Sequence, residues 1–318
     1  MRRPREIISD LKTNIKDDDP EKMDLLMRTI KAVHSSATNP EKVTAEDLSH
    51  SRTASERFSK LITPAVGIHR NQFNVENIPC EWLKPVIPHR TDRIILYCHG
   101  GGYINGGLGY AGILGTKLSQ HTGLETVTFE YRLAPENPYP AAIEDVISVW
   151  DYLMYLGYGA DDVIVAGDSS GGNLALELCF ALREKERCLP KALVLISPWT
   201  DMRATNNSYK TYAEKDPMLT YDYIISARNA YAGADADFND YHLSPLLADL
   251  SCMPPALIQV GSNEILRDDS EKLFKNYTKA GGFAKLEVCS GGWHVYQQMP
   301  IPKAYHALDS INDFINRL

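Results

Sequence analysis

From about residue 65 onward the chain repeats one texture: a short, continuous apolar run, then a turn, then a helical stretch. The runs are carried by "RIILYCHGGGY", "LETVTFEYRLAP", "DVIVAGDSSGG", "ALVLISPW", "ALIQVGSNE" and "KLEVCSGGWH". Apolar runs without polar alternation belong to strands covered on both faces. They predict a mostly parallel sheet with helices on either side, an α/β architecture. An earlier stretch, "QFNVENIPCEWLKPV", alternates and also reads as strand. In open parallel sheets the functional groups gather at the carboxyl ends of the strands, so the residues that end each run matter most.

Residues 1 to about 55 have a different texture. Ile7, Ile8, Leu11 and Ile15 fall at helical spacing, as do Leu26, Ile30 and Val33. "KDDDPEK" separates the two sets, with Asp19 placed to cap a helix and Pro20 at its first position. This segment has too little apolar content for its own core and is expected to pack on the main domain as an accessory layer. Residues 200 to 245 are polar, rich in tyrosine and free of a strong strand pattern. They read as an insertion between two strands, a candidate lid. Tyr209, Tyr212, Tyr221 and Tyr223 either line a pocket there or serve ordinary packing, and Trp199 either walls a site or fills core.

Composition bounds the function. Hydrophobic residues make up 44 % and charged residues 23 %, enough for a real core. The formal charge of −8 argues against nucleic acid as a partner. No run approaches the roughly 18 apolar residues of a membrane span, and the start, "MRRPREIISDLKT", lacks the apolar stretch of a signal peptide. The six cysteines (Cys80, Cys98, Cys179, Cys188, Cys252, Cys289) are scattered and form no C-x-x-C pair. Reduced thiols in a cytoplasmic protein are expected.

The apolar run Val163–Ala166 ends at Gly167-Asp168-Ser169-Ser170-Gly171. This is G-x-S-x-G with a strand before it and a helix after it, the setting of a serine nucleophile. The flanking glycines let strand and helix approach around a strained central residue, and only Ser169 has them two positions away on both sides. A glycine-rich turn with incidental serines is the competing reading. After "RIILYC" comes His99-Gly100-Gly101-Gly102, whose glycine amides are suited to an anion that develops during acyl transfer. No G-K-[ST] follows, so a phosphate loop does not fit.

A serine nucleophile needs a base, and the base a carboxylate. His294 fits best, in the glycine-bearing loop after the last strand-like run. His99 belongs to the glycine loop and is expected to hold it by hydrogen bonding. His242 and His306 do not follow a strand. The acid should lie between Ser169 and His294 in the chain. Glu264 is the first carboxylate past "ALIQVG" and is favoured on position. Asp268 stays open, although Asp268 and Asp269 could instead charge the start of a helix near Ser270.

Taken together, "HGGGY", "EYRLAPENPYPAAIEDV", "GDSSGGNLAL", "SPLLADLSCMPPALIQVGSNEIL" and "WHVY" resemble the hormone-sensitive-lipase-like carboxylesterases of the α/β-hydrolase superfamily, in order, over roughly residues 65 to 318. The resemblance implies an α/β-hydrolase fold with an eight-stranded, mostly parallel sheet. It implies a catalytic domain over 56–318, with a helical cap made from residues 1–55 and the 200–245 insertion. It implies hydrolysis of short-acyl esters without any cofactor or metal. Ser169 would be the nucleophile, His294 the base and Glu264 the acid. The amides of Gly101, Gly102 and Ser170 would form an oxyanion hole supported by His99 and Asp168. The expected partner is a small-molecule ester, with no nucleic acid and no membrane, and a homodimer or higher homo-oligomer stays open. The chain departs from the family where many relatives carry Asp-Pro and it has Glu264-Ile265, and where Ala is common and it has Ser170. An amidase or arylformamidase with the same triad, and a non-catalytic ligand-binding protein, are the alternatives.

Overall fold

A computed structural model describes residues 45–62 and 67–318. The helices expected around Ile7–Ile15 and Leu26–Val33 lie outside the described residues. The first described helix, α1 (Ala45–Ile62), runs through position 55. Its Arg52 donates to the carbonyls of Ile104 and Ala134, each at 3.0 Å, and pairs with Glu136. Ser51 accepts from Asn105 at 2.8 Å. The helix is thereby docked on the loop that carries "HGGGY".

Eight strands follow: β1 (Ile68–Val75), β2 (Ile78–Pro85), β3 (Arg90–Cys98), β4 (Leu124–Phe129), β5 (Val163–Asp168), β6 (Ala192–Ile196), β7 (Ala256–Gly261) and β8 (Ala284–Cys289). They form one sheet in the order β1-β2-β4-β3-β5-β6-β7-β8. The β1–β2 and β2–β4 pairings are antiparallel and all the others parallel. This is the eight-stranded, mostly parallel sheet expected above. Every residue of β4, β5, β6 and β7 is buried, as continuous apolar runs require.

Between the strands lie α2 (Leu108–Thr122), α3 (Ala141–Tyr155), α4 (Ser170–Glu184), α5 (Ser208–Thr211), α6 (Tyr221–Ala232) and α7 (Arg267–Lys279), and α8 (Pro302–Asn316) closes the chain. Alternate strand residues feed two cores. Ile94, Leu96, Val163, Val165, Leu193 and Leu195 pack with Val149, Trp150, Leu178 and Phe180 of α3 and α4 on one face. Ile95, Tyr97, Ile164, Ala166 and Val194 pack with Leu114, Leu118, Leu308 and Ile311 of α2 and α8 on the other. Each fully buried aliphatic side chain contributes about 1.5–3 kcal/mol, so the strand ends are held firmly.

The strand order reverses at β3, with β4 on one side and β5 on the other. The crevice at such a reversal is where open α/β sheets bind ligands. The loops that leave it are those of "HGGGY" and "GDSSGG". The span after β6 holds α5, α6 and a single 3-10 turn, Pro245–Leu247, and adds no strand to the described sheet. All six cysteines are free, and no described helix is long and apolar enough to cross a membrane.

Candidate active site

β5 ends at Asp168 and α4 begins at Ser170, so Ser169 alone makes the turn. Its backbone sits at φ 54° and ψ −121°, a conformation that costs a side-chain-bearing residue about 1–3 kcal/mol. The surroundings enforce it. Ser169 N donates to Ile196 O at 2.9 Å, and Ser169 O accepts from Gly172 and Trp199, each at 3.0 Å. A Cβ on Gly167 would stand 2.1 Å from Gly171 O, and one on Gly171 would stand 2.1 Å from Cys98 O. The two serines are therefore unlike. Ser169 carries the strain, whereas the fully buried Ser170 turns its hydroxyl inward and accepts from Tyr103 N at 3.3 Å.

The loop after β3 is tied to the same turn through Asp168. One oxygen of this fully buried carboxylate accepts from Tyr97 Oη at 2.5 Å and Gly100 N at 2.8 Å. The other lies 3.5 Å from Tyr110 Oη. Burial raises the Asp168 pKa, and these donors only partly offset it. His99 stacks on Tyr131 with ring centroids 4.2 Å apart, and its Nδ1 donates to Gly100 O at 2.7 Å. Burial pushes its pKa down to about 4, so it is a neutral loop-holder. Gly101 O accepts from Ile104 and Asn105 at 3.2 and 2.9 Å. Among the described residues the amides of Gly101 and Gly102 have no acceptor. The Ser170 amide is at the first position of α4, where a helix leaves its donors unused. Asn173, one turn into α4, accepts from Tyr103 Oη at 2.7 Å and donates to the carbonyls of Trp199 and Leu243.

His294 lies in the loop after β8 and is followed by Val295 at φ 50°. Val295 N donates to Ser197 Oγ at 3.2 Å, and Ser197 Oγ donates to Glu264 Oε2 at 2.9 Å. Gly261 N also donates to Glu264 Oε2, at 3.2 Å. Glu264 Oε1 faces His294 Nδ1 at 3.9 Å. Both atoms are buried, and among the described residues neither has a hydrogen-bond partner, so they face each other as an ion pair rather than a formed hydrogen bond. Burial alone would lower the His294 pKa. The nearby carboxylate of Glu264, joined by the charges of Asp216 and Asp168, outweighs that and leaves it raised above 6.5.

The other carboxylates of "SNEILRDDSEKL" are engaged elsewhere. Asp268 accepts from Ser208 N at 3.0 Å. Asp269 accepts from Thr200 N, Asp201 N and Asn206 Nδ2. Both tie the 200–208 segment to the start of α7. His242 pairs with Glu177 at 2.9 Å and Glu184 at 3.2 Å, and His306 is exposed on α8.

Two residues of this site escape the sequence patterns. Ser197 bridges the glutamate and the histidine loop, and Asp216 accepts from Ile265 N at 2.9 Å. Burial raises the Asp216 pKa to about 6, with His294 lowering it and Glu264 raising it. Of the tyrosines in the insertion, Tyr209 is buried, Tyr221 is exposed, and Tyr212 accepts from Arg267 at 2.7 Å. Tyr223 of α6 is half-buried, with its hydroxyl 2.9 Å from where a Gly102 Cβ would stand. Trp199 is buried in the core on the α3–α4 side.

A model of the alpha/beta hydrolase fold family matches residues 95–298. An esterase of Acinetobacter venetianus is 34% identical over 228 residues, 71% of this chain and 75% of its own length. An acetyl-hydrolase of Streptomyces hygroscopicus is 33% identical over 266 residues, 82% of this chain and 86% of its own. The crystal structure of an esterase from the bacterial hormone-sensitive lipase family superposes with a TM-score of 0.86 at 32% identity, covering 94% of this chain and 98% of that one.

Proposed function

The chain belongs to the hormone-sensitive-lipase-like esterases of the α/β-hydrolase family and is a carboxylic ester hydrolase; from that premise we propose that it cleaves short-acyl esters through an acyl-enzyme on Ser169, with His294 as base and Glu264 as the acid that orients it. One observation carries this reading. Ser169 is held at φ 54° at the carboxyl end of the sheet, and the loop after β6, bonded to Ser169 O by Trp199 N, is tied to those after β7 and β8 through Ser197, Glu264 and Val295.

In this reading the steps are those of a serine triad. His294 Nε2 takes the Ser169 proton as Oγ bonds to the ester carbonyl carbon, and the carbonyl electron pair moves onto oxygen. The unpaired amides of Gly101 and Gly102, with that of Ser170, receive this oxyanion. The imidazolium is stabilised by Glu264 across Nδ1. The C–O bond breaks, and the alcohol leaves with the proton from Nε2. Water then gives a proton to His294 and attacks the acyl carbon, and Ser169 departs with its proton restored.

Residues 200–245 and the part of α1 up to position 55 form the cap in this reading. Tyr223 beside Gly102 and Arg52 on the Ile104 carbonyl support that placement. The esterase names of the Acinetobacter relative and of the superposed crystal structure favour esters over the amide alternative. The short-acyl preference draws on the acetyl-hydrolase name of the Streptomyces relative and on Tyr223, which narrows the space above Gly102. Initial rates on p-nitrophenyl esters from acetyl to decanoyl are expected to peak at the short end. Rates that climb steadily with chain length would overturn this part.

Gly101→Ala tests the oxyanion loop. Gly101 has φ 121°, and an added Cβ would meet Asn105 O at 2.2 Å. The loop must shift and its amides lose their aim. A loss of about 100- to 1,000-fold in kcat is expected, the size seen when one oxyanion donor is removed. A variant with wild-type kcat would mean that these amides do not receive the charge.

A further inference from the structure

We propose that Lys117 is a positioning residue for His294, its buried ammonium clamping the turn that carries the histidine. Lys117 lies in the body of α2 and is 3 % exposed. Its Nζ donates to three carbonyl oxygens: Gln297 at 3.1 Å, Gln298 at 2.9 Å and Met299 at 2.9 Å. An ammonium has three hydrogens, and all three are used here. The carbonyls belong to the 3-10 turn Tyr296–Gln298 and the residue that ends it, three to five positions after His294. Among the described residues no carboxylate pairs with this ammonium; burial works to lower the Lys117 pKa, and the three accepting carbonyls oppose it by favouring the charged form. Burying a cation without a counter-ion works against folding. The turn it holds is the gain that offsets this.

That turn needs holding. Val295, its first neighbour, is β-branched and sits at φ 50°, a conformation that persists only where the surroundings over-determine it. Three carbonyl oxygens converging on one point repel one another unless a donor of positive charge lies between them. The same helix reaches the site a second time. Tyr110, seven residues before Lys117 and so on the same face of α2, accepts from Gln298 Nε2 at 2.8 Å. Its hydroxyl lies 3.5 Å from Asp168, the neighbour of Ser169. α2 thus sets the histidine turn and the serine turn against one rigid element. A shift of about 1 Å in a reacting group can cost on the order of 100-fold in rate.

The inference rests on His294 being the base, and the test separates the two. In Lys117→Met, which keeps the apolar stem and removes the donors, kcat is expected to fall about 10- to 100-fold with KM within about twofold. In Lys117→Ala, methylammonium should enter the vacated position and recover at least several-fold of kcat without affecting the wild type. If Lys117→Met does not fold, Lys117→Gln, which keeps an N–H donor near the carbonyls, should fold with a smaller kcat loss. A folded Lys117→Met or Lys117→Gln with wild-type kcat would overturn the clamp. So would a loss that methylammonium leaves untouched and that appears in KM. An active His294→Ala would instead sink the assignment of the base, whereas an inactive one beside a wild-type Lys117→Met would defeat this inference alone.

Discussion

Ser169→Ala is expected to lower kcat for p-nitrophenyl acetate by about 10,000- to 1,000,000-fold, while Ser170→Ala stays within about tenfold of wild type. The first figure is the size of loss when the nucleophile of a serine triad is removed. Fold damage would not account for it. An alanine at φ 54° is no more strained than a serine, and Ser169 Oγ makes no side-chain hydrogen bond that caps α4 and would be lost. The thermal midpoint of Ser169→Ala should therefore match or exceed the wild type, since active-site strain is commonly held at the expense of stability. Ser170 is the internal control. Its hydroxyl accepts one long bond from Tyr103 N, and losing it leaves a buried amide unpaired at about 1–3 kcal/mol. Its own amide, the part with a proposed role, survives the change. Initial rates and melting curves on both variants decide the matter. The assignment fails if Ser169→Ala keeps more than about 1 % of wild-type activity, or if Ser170→Ala suffers the larger loss.

The contrast between these serines was legible in the chain, because glycine spacing is a local property. Gly167 and Gly171 bracket one serine only, and the strand and helix on either side announce themselves by their own periodicity. The same holds for the sheet. Strands buried on both faces read as unbroken apolar runs, and the loops that end them carry His99 to Gly102, Ser169, Glu264 and His294. What stayed hidden depends on contacts between distant segments. Ser197 looks like any residue after a strand until its hydroxyl is seen between Glu264 and Val295. Asp216 sits 49 positions from the amide it binds, and Lys117 is 180 to 182 positions from its carbonyls. Helical spacing gives no hint that a lysine inside α2 points into the fold. Position favoured Glu264 but left Asp268 open, because the two lie four residues apart in one stretch. In the structure Ser208 N, 60 positions away, bonds Asp268, whereas Glu264 faces the histidine.

That separation has a measurable consequence. Glu264→Gln is expected to cost about 10,000-fold in kcat, whereas Asp268→Asn should stay within about twofold. The side-chain amide introduced by Glu264→Gln has no good orientation. If its oxygen keeps the bonds from Ser197 Oγ and Gly261 N, its NH2 points at His294 Nδ1 and donates to it. The imidazole must then carry its proton on Nε2, the nitrogen that has to accept from Ser169. If the amide flips, its NH2 meets the N–H of Gly261 instead. The Asp268→Asn change, in contrast, still leaves a side-chain oxygen for Ser208 N. The pH profile supplies an independent reading. His294 must be neutral to act as a base, so kcat/KM is lost as pH falls through its pKa. Burial lowers that pKa, but the facing carboxylate of Glu264 outweighs it, so the wild-type acidic limb should lie above 6.5. Glu264→Gln removes that carboxylate and leaves Asp216 and Asp168 against the same burial, so the limb must move to lower pH. Profiles of kcat/KM for both variants would decide between the carboxylates. A limb that does not move, or a larger loss in Asp268→Asn, would return the role to Asp268.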